Sequence, residues 1–192
     1  SAGAADLVAL VEAFDELQVV LQCCERLVAD LAADSESDPI VLEAVWTTAL
    51  LSYARCFGAA GSGASPSSGE VLTEDDVATA HSNTDEVVKW HRLLLSLRDH
   101  YADPAVNPRE RFSVGVTQDP DGAASGLAIT SARQPLVDDL TVRQTGAIAY
   151  ALSGSVNRRI EAGQEPLFAD VRGRSSEELN AQAEASRLAV AK

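Results

Sequence analysis

The chain is poor in the residues that would staple or metallate it. It has three cysteines in 192 residues. Cys23 and Cys24 are adjacent and cannot easily pair with each other, and an odd count makes a poor disulfide framework. No second pair stands at a metal-ligand spacing. All three fall in apolar, helical patterns, where a free thiol behaves as a small hydrophobe, as expected in a reducing cytoplasm. No Glu-x-x-His occurs anywhere, which argues against a di-metal carboxylate bundle, and no metal or cofactor is expected. Long apolar runs are missing too, so no transmembrane helix is predicted. Nor is there a basic stretch followed by an apolar one at the start, so no signal peptide is expected in the sequence as given. Basic residues are scarce: 15 Lys and Arg against 29 Asp and Glu give a net charge of −14. Binding a polyanion requires cations clustered against its phosphates, so a broad nucleic-acid surface is not expected.

What remains is a length that suits one domain with a tail and hydrophobic residues arranged mostly at helical spacing. From Ala4 to Ala33, Leu7, Val11, Phe14, Leu17, Leu21, Cys24, Val28 and Leu31 recur every three or four residues and predict one long amphipathic helix. Asp38 can cap a second helix, with Pro39 at its first position. That helix, to about Phe57, is apolar on nearly every side and should be central. Its single cation, Arg55, needs a partner or sits at the helix end to suit the dipole. Gly58 to Gly69 reads as a flexible loop. Its Gly-Ala-Ala-Gly-Ser-Gly follows a helix and lacks the Gly-Lys-Ser/Thr ending of a phosphate loop. Thr73-Glu74-Asp75-Asp76 has the form of a capping box and opens a short helix to about His81.

A further helix is expected from Thr84 to about Tyr101, with Val87, Trp90, His91, Leu94, Leu97 and Arg98 on one face and Leu93 and Leu95 widening it. Pro104 and Pro108 stop it. The hydrophobic period then changes to two. Phe112, Val114 and Val116, then Leu127 and Ile129, flank the turn signal Asp119-Pro120-Asp121-Gly122, which predicts a β-hairpin over 111–133. Two strands alone are marginal in water, so the hairpin should pack on the helices or pair with another chain's edge. Helix returns from Pro135 to about Ala162, marked by Val137, Leu140, Gln144, Ile148, Ala151 or Leu152, Val156 and Ile160, with Gly163 as its stop. Ser175 opens a thin, alanine-rich helix to about Val190. There is no internal repeat and no sustained heptad.

The fold class these elements predict is mainly α: a four-helix bundle over residues 1–162, with the hairpin inserted between its third and fourth main helices. A C-terminal helical arm occupies 163–192.

The chemistry-bearing residues concentrate where the Thr84 helix ends. Arg98, His100 and Asp103 are the candidate catalytic set: a histidine near neutral pKa beside a cation can move a proton. The plainer reading is a helix C-terminus whose polar groups satisfy free carbonyls. The segments Ala49-Leu50-Leu51-Ser52-Tyr53-Ala54-Arg55-Cys56-Phe57 and Trp90 to Asn107, followed by a hairpin, resemble HEPN-type helical proteins, and among them bacterial relatives with a Leu-Arg-Asp-Lys-x-Ala-His segment. The resemblance covers roughly residues 5–160. It implies a cytoplasmic homodimer paired through the helix that carries Arg98, a toxin–antitoxin or phage-defence setting, and a metal-independent ribonuclease site of an arginine followed four to six residues later by a histidine. Arg98 matches the arginine. Where the histidine would fall, this chain has Asp103 and Pro104, and His100 comes too early. The expectation is therefore a non-catalytic or weakly catalytic protein acting through binding. The alternatives are an endoribonuclease using Arg98 and His100, or an interaction protein offering its hairpin edge or C-terminal arm to a protein partner.

Overall fold

A computed structural model of the chain describes residues 2–33, 38–57, 71–80, 84–133, 137–181 and 183. Five helices and a hairpin follow one another as α1 (Ala2–Ala32), α2 (Pro39–Arg55), α3 (Glu74–Ala80), α4 (Thr84–Ala102), β1 (Glu110–Gln118), β2 (Ala124–Arg133) and α5 (Asp139–Arg172). A short helix over 176–181 comes after them. The architecture is mainly helical, with a two-stranded antiparallel hairpin between α4 and α5. Several expected features lie outside the described residues: the polar connection at 35–37, the loop at 58–69, the end of the short helix at His81, the start at Pro135 of the helix expected after the hairpin, and the arm beyond 183.

Local chemistry sets the helix starts. The Asp38 carboxylate accepts from the Ile40 amide at 2.9 Å, with Pro39 in the first turn. At the head of α3 the Thr73 amide donates to the Asp76 carboxylate at 2.8 Å, and the Asp76 amide donates back to the Thr73 hydroxyl at 3.3 Å. This is a capping box closed by Asp. Asp138 caps α5 through the Thr141 amide at 2.7 Å. Ser175 and Glu178 form the same reciprocal pair before the last short helix.

The core forms where α1 packs on both α5 and α2, α2 on α4, and α3 on both α4 and α5. The deepest stripe of α1 is Leu10, Ala13, Leu17, Val20, Cys24 and Leu27, rotated from the one its sequence spacing suggests. Phe14, Leu21, Val28 and Leu31 flank it and are partly buried, whereas Val11 is exposed. The shift arises because α1 has a neighbour on two sides, so its buried face centres between them. On α5, Val142, Ile148, Ala149, Leu152 and Val156 are buried, while Leu140 and Gln144 are exposed.

The stop expected at Gly163 is absent. Helix α5 runs through Gly163 and Pro166 to Arg172, so the helix expected to end at Ala162 and the start of the expected arm are one element. The cause is tertiary packing. Leu7 of α1 lies over Gly163, where a Cβ would stand 3.7 Å from Leu7 Cδ1, and Leu167 lies over Gly3. Cys24 meets Gly146 in the same way. These three contacts keep one antiparallel register along some 20 residues of α1, and that continuous contact outweighs the local preference of Gly and Pro to end a helix.

The hairpin ladder runs from Glu110 opposite Arg133 to Gln118 opposite Ala124, with an irregularity at Thr117/Gln118. Its turn is held by the Asp119 carboxylate, which accepts from the amides of Asp121 (3.1 Å) and Ala123 (2.9 Å). Gly122 takes φ +83°, a conformation that favours glycine. Of the two expected ways to cover the hairpin, packing on the helices is not seen among the described residues: nearly every residue of both strands is exposed.

Candidate functional site

Arg98, His100 and Asp103 all lie at the C-terminal end of α4, as the sequence indicates, but they do not form a constellation. Two residues apart on a helix means about 200° around it, so Arg98 and His100 point to different sides. The Arg98 side chain is only 18% exposed. Its Nε lies 2.7 Å from the Asp99 carboxylate, yet the N–H is not aimed at that oxygen, and Nε is buried without a hydrogen bond. The His100 ring meets Tyr101 edge-on, with centroids 6.0 Å apart. Asp103 is a turn-former: its amide donates to the Asp99 carbonyl at 2.9 Å and its carboxylate accepts from the Ala105 amide at 2.8 Å. Among the described residues, no hydrogen bond or ion pair joins the three to one another.

The segment after α4 is a latch. Asn107 repeats the Asp103 device by accepting from the Arg109 amide at 3.0 Å. Arg109 then reaches back to Glu43 of α2, Nε to carboxylate, at 2.7 Å. Asp103, Asn107 and Arg109 thus fix the direction in which the chain leaves α4 and enters β1.

The histidine with the most distinctive environment is His91, which the sequence placed on the apolar face of α4 without a role. It is 3% exposed. Its Nδ1 lies 2.9 Å from the Tyr53 hydroxyl, and its ring stands 4.4 Å from that of Phe57, centroid to centroid. Burial lowers its pKa below the ordinary imidazole value, partly offset by Glu74, and burial raises that of Tyr53. The pair is therefore a neutral hydrogen bond inside the core. Next to it, Arg92 forms a two-point ion pair with Glu74 of α3, with Nε at 2.8 Å. That pair holds the Glu74 carboxyl below its usual range.

Arg55 finds its partner in Glu16 of α1 at 3.1 Å, which accounts for this cation structurally. Burial pushes the thiols of Cys24 and Cys56 up to about 12, so neither is a thiolate nucleophile at neutral pH. Among the described residues no cluster of His, Cys, Asp and Glu is placed to hold a metal ion, and no helix is long and apolar enough to cross a membrane.

Sequence reasoning missed a cleft between α4 and α5. Its volume is about 610 Å³, and Val87, Trp90, Leu93 and Ile148 form its apolar wall, with Lys89 and Gln144 among its polar groups. Leu93, expected to widen the core-facing side of α4, is 43% exposed here. Periodicity could not reveal this gap, because its walls come from α4 and α5, more than 50 positions apart in the sequence. Compared with models of protein families, with curated proteins and with solved structures, the chain matches none.

Proposed function

We propose that this protein acts through binding as a homodimer, without ribonuclease catalysis at Arg98. The observation that carries the reading is the geometry at the end of α4. Metal-independent cleavage of RNA needs a base for the 2′-hydroxyl and a cation for the developing phosphorane, both converging on one reacting centre. Arg98 lies largely buried beside Asp99, His100 turns to another side of the helix, and Asp103 is engaged in a turn. The charge balance supports the same reading, since 29 acidic side chains face 15 basic ones and repel a polyanion at long range.

The test is direct. Purified protein incubated with single-stranded and structured RNA leaves both intact. Cleavage by the wild-type chain that disappears in both Arg98→Ala and His100→Ala would overturn the proposal and install the endoribonuclease in its place.

A further inference from the structure

Helices α4 and α5 face each other across the cleft without closing on it. Helix α4 packs on α2 and α3, and α5 on α1 and α3, but among the described residues the two share little contact of their own. The gap holds about 610 Å³, inside the range of ~300–1,000 Å³ that small-molecule sites occupy. Its apolar wall is graded from core to water. Ile148 is buried in the core, Val87 and Trp90 are partly buried against it, and Leu93 is exposed.

The dimensions decide what kind of occupant fits. Helix α4 lines the cleft from 86 to 93, about 10 Å along its axis, and α5 only from 144 to 148, about 6 Å. A partner helix laid in a groove anchors itself from i to i+7, and so needs about 10 Å of both walls. The α5 wall is too short for that, whereas a small molecule is not limited by it.

The polar groups decide the end such a molecule presents. Lys89 of α4 and Gln144 of α5 stand on opposite walls. Neither side chain makes a hydrogen bond or ion pair with another described residue. Every ion pair among the described residues uses an arginine. Lys89 is thus a cation without a carboxylate in a chain that has 29 of them. We propose that this cleft binds a small monocarboxylic acid with an extended apolar body. The body lies along Val87, Trp90, Leu93 and Ile148, and the carboxylate accepts from the Lys89 ammonium and the Gln144 amide, a charge-assisted pairing. Glu86 shares the rim and has an interaction of its own. Its charge disfavours a second acidic group on the ligand. The net charge of −14 opposes an anion at long range, but salt at ~0.15 M screens beyond ~8 Å, and the Lys89 contact acts well inside that distance.

This inference goes beyond the binding reading and does not rest on it. Its test uses the full chain, with decanoate, octanoate and octanol titrated by calorimetry. Decanoate binds one site per chain, about tenfold tighter than octanoate, the effect of two more buried methylenes. Octanoate binds tighter than octanol. Lys89→Gln weakens decanoate by about fivefold and leaves octanol unchanged, the scale of one exposed ionic contact. Ala147→Phe, at an exposed position on the cleft wall, abolishes binding with an unchanged helical circular dichroism spectrum. Val114→Ser with Ile129→Ser removes bare apolar surface from the hairpin and leaves binding intact. The absence of saturable decanoate binding overturns the proposal. So does binding that Lys89→Gln or Ala147→Phe leaves unaltered, or binding lost in the hairpin variant, which would move the site there. If decanoate does not bind and Leu93→Glu halves the mass in solution, the cleft is a contact between copies instead. RNA cleavage would sink the non-catalytic reading while leaving this one standing, so the two fail separately.

Discussion

His91 shows how a single buried polar residue is accommodated and what it makes measurable. A hydroxyl or imidazole nitrogen taken from water without a partner costs about 1–3 kcal/mol. Tyr53 and His91 satisfy each other at 2.9 Å within an aromatic cluster completed by Phe57. Removing one partner should therefore cost more than removing both. His91→Leu strands the Tyr53 hydroxyl and is expected to destabilise by about 1–3 kcal/mol, and Tyr53→Phe strands the imidazole at similar cost. The double variant should lose less than the sum, which urea unfolding of the four proteins checks. The pH dependence has a definite sign. Burial lowers the folded-state pKa of His91 from 6.5, so on acidification the unfolded chain takes up this proton first. The contribution is intact above the unfolded value and is lost as pH falls through 6.5 toward the lowered folded value. Stability should decline over that window in the wild type, and His91→Leu should flatten the decline. An unchanged slope in the variant would assign the acid sensitivity to other groups.

Among the elements, α5 is where local preference and tertiary packing disagree most clearly. Glycine in a helix interior costs roughly 0.5–1 kcal/mol relative to alanine. At Gly163 an added Cβ would meet Leu7 Cδ1 at 3.7 Å, an ordinary van der Waals contact. Gly163→Ala should therefore stabilise the protein by roughly 0.5–1 kcal/mol, read as a higher urea midpoint with unchanged slope. A loss of stability would mean that the helices cannot accept even a methyl group there. The same helix shows why some of the fold is legible in the sequence and some is not. Asp38 with Pro39, the Thr73–Asp76 box and the Asp119–Gly122 turn are written in residues that act within a few positions of themselves, and the structure holds each as its sequence suggests. The continuation of α5 through Gly163 and Pro166 depends on Leu7, some 150 positions away. The rotated stripe of α1 depends on having both α5 and α2 as neighbours. The candidate site divides the same way. That Arg98, His100 and Asp103 crowd one helix end is visible in their spacing. The Arg98–Asp99 contact and the Asp103 turn are local as well, whereas the burial of His91 against Tyr53, 38 positions away, requires the packed helices.

For the whole molecule, the largest electrostatic fact is the excess of 14 negative charges, and its consequence for stability can be argued against the ion pairs that oppose it. Folding gathers those charges into one small volume, and their mutual repulsion destabilises the compact state. The pairs that draw elements together, among them Arg55–Glu16, Arg92–Glu74 and Arg109–Glu43, join an arginine more than half exposed to a carboxylate. Exposed pairs of this kind are worth about 0–1 kcal/mol each. Salt weakens both effects, but not equally. Between ~0.01 M and ~0.15 M the Debye length falls from ~30 Å to ~8 Å, which removes most repulsion across the molecule and leaves much of an attraction acting over about 3 Å. The long-range term is thus the one salt erases, and stability should rise with ionic strength over this range. For a chain of this size a gain of about 1 kcal/mol corresponds to roughly 2–4 °C in Tm, within reach of calorimetry in sodium chloride. A Tm that falls with added salt would show that the local pairs, not the net charge, dominate the electrostatics of the folded state.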